Sequence, residues 1–168
     1  MKKLLYITFL FIAFGCKSTS KIKTDTTTYY FIRHAEKDKS DKTNRDPDLI
    51  EKGRKRAQKW ASYFNKTKLD AVYSTNYLRT KNTAKPTANS KGLETILYDP
   101  RAINYNDFLN NTKGQTVLIV GHSNTTPFFV NKIIGEEKYE SIDETINSKL
   151  FIVTINKEII TSKVITID

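Results

Sequence analysis

Thr116-Val117-Leu118-Ile119-Val120 is a five-residue run, rich in β-branched residues, that stops at Gly121-His122. Tyr29-Tyr30-Phe31-Ile32 has the same character and stops at Arg33-His34. Continuous apolar runs of this length are the mark of strands buried on both faces, which need a layer of helices on each side. The rest of the chain supplies those helices. Ala57, Trp60, Ala61 and Phe64 share one face of a helix expected at residues 49–64, with Lys52, Lys55 and Lys59 on another. Further helices are expected at 76–85, ended by Pro86, at 105–109, and at 125–134, ended by Gly135. Strands are expected at 69–73 and 95–98. Residues 150–155 and 159–167 alternate β-branched with polar residues and predict a closing hairpin that turns at Asn156-Lys157. Strands alternating with helices predict an α/β fold, a three-layer α/β/α sandwich on a mostly parallel central sheet. No internal repeat is visible.

The N-terminus reads separately from this domain. Lys2 and Lys3 precede an apolar run at residues 4–14, which Gly15 and Cys16 follow. A membrane-spanning helix takes about 20 apolar residues, so this run is too short and reads as a secretory signal. Cys16 is the only cysteine of the 168 residues. That excludes an intramolecular disulfide and any multi-cysteine metal site. Ala13-Phe14-Gly15-Cys16 resembles the lipobox of bacterial lipoproteins, which implies a signal peptide at 1–15, a lipid on Cys16 and a membrane-anchored protein outside the cytoplasm. Lys17, rather than Asp, after the cysteine resembles outer-membrane lipoproteins. Residues 16–28 are polar and suit a solvated tether, leaving 29–168 as the folded domain.

The chemistry gathers where strands end. Ligands of open α/β sheets bind beyond the carboxyl ends of the strands. Arg33-His34 ends the first strand, Arg79 opens the helix after the second, and His122 follows the run 116–120. Two arginines and the chain's only two histidines are thereby expected at one sheet edge. Arginine grips phosphate oxygens with a planar fork and keeps its charge, so two of them mark a dianion site. A histidine among them is pushed toward its neutral, nucleophilic form and can accept a phosphoryl group on nitrogen. The second histidine and the N-terminus of the following helix are expected to donate hydrogen bonds to the phosphoryl oxygens.

These residues carry a family resemblance. Arg33-His34-Ala35-Glu36 is similar to the Arg-His-Gly-Glu signature of the histidine phosphatase superfamily, the phosphoglycerate-mutase-like proteins. Leu49-Ile50-Glu51-Lys52-Gly53, Tyr73-Ser74-Thr75 with Leu78-Arg79-Thr80, and Val120-Gly121-His122-Ser123 resemble its later segments, in family order. The resemblance implies a phosphoglycerate-mutase-like fold, His34 as the phosphorylated nucleophile, and Arg33, Arg79 and His122 as the phosphate pocket. Three departures stand out: Ala35 for Gly, Ser40 where mutase-type members often carry Asn, and Ser123 in place of the Asp that supplies the general acid in acid-phosphatase-type members. Asp99 is then the best positional match for the acid. Glu36 and Asp107 are alternatives, and Glu36 could instead orient Arg33 or Arg79 as an ion-pair partner.

Other classes fit less well. Ser123 sits in a Gly-x-Ser context that superficially resembles a hydrolase nucleophile elbow, yet no histidine follows His122 in the chain. The formal charge of +10 and the basic residues at 52–59 suit a solvated helix face and attraction to anionic membranes or phosphorylated substrates, so no nucleic acid is expected. No metal and no cofactor are expected. A mutase needs a bisphosphorylated primer that an exported protein would not meet. The remaining expectation is hydrolysis of a phosphomonoester, a small phosphorylated molecule or an envelope phosphate. A protein phosphatase of the small phosphohistidine type and a non-catalytic phospholigand-binding lipoprotein are the alternatives. Substrate choice is expected to rest on residues 35–47 and 86–112.

Overall fold

A computed structural model describes residues 26–168. The expected signal, Cys16 and most of the tether lie outside the described residues. The tether gives way to the domain sooner than expected: β1 (Thr26–Arg33) begins with three threonines. Thr26, Thr27 and Thr28 pair with Asn156, Ile155 and Thr154, and Thr27 is buried with its Oγ1 accepting the Gly114 N–H at 2.8 Å. Threonine is β-branched, so the first residues of a strand take it as readily as a linker does.

The remaining elements are α1 (Glu51–Tyr63), β2 (Ala71–Thr75), α2 (Leu78–Ser90), β3 (Thr95–Tyr98), α3 (Tyr105–Asn111), β4 (Thr116–Gly121), α4 (Thr125–Ile134), β5 (Lys149–Asn156) and β6 (Ile159–Thr166). They form one six-stranded sheet in the order β3-β2-β4-β1-β5-β6. The first four strands run parallel, and β5 and β6 continue the sheet antiparallel. Side chains alternate across it. Tyr29, Phe31, Val117 and Ile119 pack with Phe108 of α3 and Phe129 of α4, while Ile32, Leu118 and Val120 pack with Trp60 and Phe64 at α1 and Ala84 and Ala88 of α2. The expected three layers are therefore present, with a buried apolar core on each face.

Three local expectations need correction. Pro86 does not end α2, which runs on to Ser90. Thr87 and Ala88 are buried there, and this burial offsets the hydrogen bond that proline removes. Strand β2 starts two residues later than expected and includes polar Ser74 and Thr75, which are buried at the sheet edge that faces the cavity described below. An apolar-run criterion stops short of such residues. The hairpin turns at Lys157-Glu158 rather than Asn156-Lys157: Asn156 pairs with Ile159, and Lys157 takes a left-handed φ of 55°.

Gly53 explains the segment that opens α1. A Cβ there would stand 2.2 Å from the Glu36 carbonyl oxygen, and the Ile50 N–H donates to the same oxygen at 3.0 Å. The helix thus docks directly on the backbone that follows His34. Ala35, in the family's glycine position, keeps its methyl fully buried against Leu49 and Ala57.

Candidate active site

Strand register brings the two histidines together. Arg33 at the end of β1 pairs with Gly121 at the end of β4, so His34 and His122 each lie one residue beyond a matched pair. Their ring centroids are 5.5 Å apart. A cavity of about 810 Å³ opens there, and His34, Arg79, His122 and Asp99 line it.

His34 is held neutral. Its Nδ1 lies 2.7 Å from the Ala35 carbonyl oxygen. A carbonyl only accepts, so Nδ1 carries the proton and Nε2 the lone pair. Burial, with smaller contributions from Arg33, His122 and Arg79, pushes its pKa down to about 3, against the pull of the carbonyl bond. The backbone is pinned as well: the His34 N–H donates to the Gly121 carbonyl at 2.9 Å, and the Asn147 amide donates to the His34 carbonyl at 2.9 Å.

His122 is oriented through a hydroxyl relay. The Thr80 hydroxyl donates to the Thr75 and Tyr77 carbonyls at 2.8 and 3.0 Å, so it accepts from the Thr75 hydroxyl at 3.0 Å. That hydroxyl is left to accept from His122 Nε2–H at 2.9 Å. Burial and the charges of Arg79 and Arg33 lower the His122 pKa to about 4. The helix N-terminus contributes less than expected. The Thr125 and Thr126 N–H groups are taken by the Asn124 side chain and the His122 carbonyl, and residue 127 is proline.

The two arginines differ. Arg79 lines the cavity with its guanidinium 4.4 Å from the Tyr77 ring centre. One terminal nitrogen lies 3.4 Å from Asp46, and its buried Nε has no hydrogen-bond partner. Arg33 is buried and does not line the cavity. One terminal nitrogen donates to the Asp143 and Ile146 carbonyls at 3.1 and 3.0 Å, and the other is bonded to the Glu144 carboxylate. Glu144 does line the cavity, and its second oxygen accepts from the Ser123 hydroxyl. A carboxylate thus holds part of the arginine fork expected for phosphate.

The candidate acids separate clearly. The Glu36 carboxylate is bound bidentately by Arg56 at 2.9–3.0 Å, with Lys52 at 3.8 Å, and it does not line the cavity. Despite partial burial, these bonds hold its pKa below the usual value, so it stays ionised. It is neither a proton donor to the cavity nor the expected partner of Arg33 or Arg79; it anchors α1. Ser40, expected to bind phosphate, is instead exposed in a turn closed by Asp38, and Asp107 is exposed on α3; neither lines the cavity. Asp99 lines it, with one oxygen accepting the Arg101 N–H at 2.9 Å and lying 3.7 Å from the Arg101 guanidinium.

Glu144, Lys37, Thr75, Tyr77 and Arg101 are cavity residues that the sequence reading missed. Tyr77 lay within reach of it, two residues before Arg79. Glu144 sits in a stretch without motif or periodicity, and no sequence signal pointed to it. Among the described residues no cluster of three or more metal-ligating side chains occurs, and no helix is long and apolar enough to cross a membrane.

Known proteins place this geometry. The chain is similar in structure to a phosphoserine phosphatase of Entamoeba histolytica, a histidine-to-alanine mutant in complex with phosphoserine, at 13% identity and TM-score 0.63, covering 81% of this chain and 94% of that one. It is similar to a mycobacterial glucosyl-3-phosphoglycerate phosphatase in complex with VO3, at 12% identity and TM-score 0.65, over 82% and 96%. It is also similar to the protein histidine phosphatase SixA in complex with tungstate, at 15% identity and TM-score 0.64, over 83% and 96%. At such identities these likenesses establish the fold. No curated protein matches the chain in sequence. The histidine phosphatase superfamily (branch 1) profile matches residues 29–106, the stretch that holds Arg33, His34 and Arg79. Over residues 29–106, and in the fold around them, the chain is similar to the histidine phosphatase superfamily.

Proposed function

We propose that the protein hydrolyses phosphomonoesters through a phosphohistidine on His34. The observation that carries this reading is the His34 tautomer: the Nδ1 proton is committed to the Ala35 carbonyl, so the Nε2 lone pair is available at neutral pH. In the first step Nε2 attacks phosphorus and the P–O bond to the alcohol breaks. Asp99, the one expected acid that lines the cavity, gives its proton to the leaving oxygen. In the second step water attacks the phosphoryl group, its proton returns to Asp99, the P–N bond breaks, and Nε2 regains its lone pair. Arg79, and Arg33 once Glu144 yields, hold the phosphoryl oxygens, while neutral His122, its one N–H given to Thr75, has no proton to donate to them, contrary to the expectation from sequence. The test is His34→Ala, which should abolish turnover of an activated aryl phosphate while circular dichroism stays native. Wild-type protein caught during turnover should carry acid-labile, base-stable phosphate. Full activity in the mutant would overturn the mechanism.

A second reading is favoured by the tie between Asp99 and Arg101. If that tie keeps the carboxylate from donating, only substrates with easily lost leaving groups turn over, as the phosphoramidate of a phosphohistidine protein would. A phosphohistidine peptide assayed beside an alkyl phosphate separates the two. For location, we propose export and lipid anchoring at Cys16, on the resemblance of residues 13–16 to a lipobox. Cys16→Ser should release the protein from the membrane fraction or block its processing. Unchanged partition with normal cleavage would refute the anchor.

A further inference from the structure

A second cavity, of about 830 Å³, adjoins the first and shares Pro100, Arg101, Asn124 and Thr125 with it. Its character is different. Ile103, Tyr105, Pro127, Phe128 and Tyr139 line it, with Glu137 and Glu140. The walls are held in place by ring packing and by hydrogen bonds. Tyr105 packs edge-on against buried Phe129 at 5.0 Å, and Tyr139 packs against buried Phe151 at 5.2 Å. The side chain of Asn131, 4% exposed, accepts the Tyr139 N–H at 3.0 Å and donates to the Tyr139 carbonyl at 2.8 Å and to Glu137 at 3.2 Å. Against this fixed wall, Phe128 stands 44% exposed while its neighbour Phe129 is 2% exposed. An aromatic side chain left open beside a catalytic cavity marks a surface for ligand rather than core.

We infer that this groove receives the alcohol arm of the substrate, and that the arm is apolar or aromatic and carries no second anion. The inference rests on the phosphatase reading above and deepens it to a substrate class. Charge sets the direction. Lys37 and Arg79 line the first cavity alone and draw the phosphate, Arg101 stands on the shared rim, and Glu137 and Glu140 in the groove repel a second negative group. The shared rim makes the two cavities one continuous path. A compact sugar phosphate fills the first cavity alone and leaves the aromatic wall unused. A monophosphate with a long apolar arm uses both, and a bisphosphate is disfavoured.

Inert phosphonates test this independently of turnover. Calorimetry with the purified protein would compare phenylphosphonate, 4-(benzyloxy)phenylphosphonate and the latter with a carboxylate on its terminal ring. The long uncharged arm should bind about tenfold more tightly than phenylphosphonate, and the carboxylate should cancel most of that gain. Phe128→Ala should remove the gain without changing phenylphosphonate affinity, and Phe128→Leu should keep most of it. Equal affinity for the short and long phosphonates, or a gain that survives Phe128→Ala, would overturn the groove assignment. Hydrolysis of phenyl phosphate, measured alongside, reports on the catalytic reading separately: turnover without a gain refutes only the groove, and a gain without turnover refutes only the chemistry.

Discussion

The cavity has one wall built on regular elements and one built on loops. His34 and His122 follow paired strands, Arg79 stands in the first turn of α2, and the two histidines are mostly withdrawn from water. Asp99 and Glu144 come from connections, with side chains 55% and 63% exposed. The first wall is pinned by ladder and relay hydrogen bonds that do not depend on a ligand. The second is held by surface ion pairs and turn bonds, which contribute little and rearrange easily. Groups proposed to hold the phosphate thus sit mostly on the regular elements, and groups proposed to give way or exchange protons sit on the loops. This division suits a reaction in which the dianion site stays preorganised while a proton donor adapts to different leaving groups.

The largest effect should come from the rigid wall. Arg79→Ala should lower kcat/KM by about 10²- to 10³-fold for aryl and alkyl phosphates alike, and weaken vanadate inhibition, because the dianion loses its fork whatever the leaving group. Selective loss on one substrate class would break the comparison. On the loop wall, Asp99→Asn should slow alkyl phosphates by about 100-fold and spare activated aryl phosphates, whose leaving groups need no proton. Glu36→Gln, by contrast, should slow both classes equally and lower Tm, since Glu36 joins α1 to the residues after His34 through Arg56.

Smaller effects sharpen the picture. Glu144→Gln should tighten inhibition by inorganic phosphate a few-fold, because a carboxylate competing for Arg33 is removed; its exposure keeps the effect small. Weaker inhibition would assign Glu144 a supporting role instead. A last effect is on stability against pH. His34 and His122 have folded pKa values of about 3 and about 4, below the ordinary 6.5. Between those values and 6.5 the unfolded chain binds more protons than the folded one. Stability is therefore full above pH 6.5 and falls as pH drops toward 3. Thermal melts from pH 7 to pH 4 should show this decline, and it should be shallower in His34→Ala.

Residues whose neighbours along the chain carry the information were legible before any fold was known. The apolar runs ending at Arg33-His34 and Gly121-His122 placed both histidines at strand ends, because a buried strand can tolerate charge only where it leaves the sheet. Alternation of those strands with amphipathic helices was enough for the layered fold and the parallel core. What lay beyond the sequence was every property set by contact between distant segments. Glu36 meets Arg56 rather than Arg33 or Arg79 because Gly53 lets α1 close onto the Glu36 backbone. Arg33 is filled by Glu144 from 111 residues away, and by two carbonyls of the same loop. The hydroxyl relay from Thr80 through Thr75 to His122 joins residues that share no periodicity. Sequence alone determined which groups reach the sheet edge, since hydrophobic period and strand length are local. Only the tertiary structure decided which of them face the cavity, which are spent on one another and which titrate, since burial and pairing are properties of the packed chain.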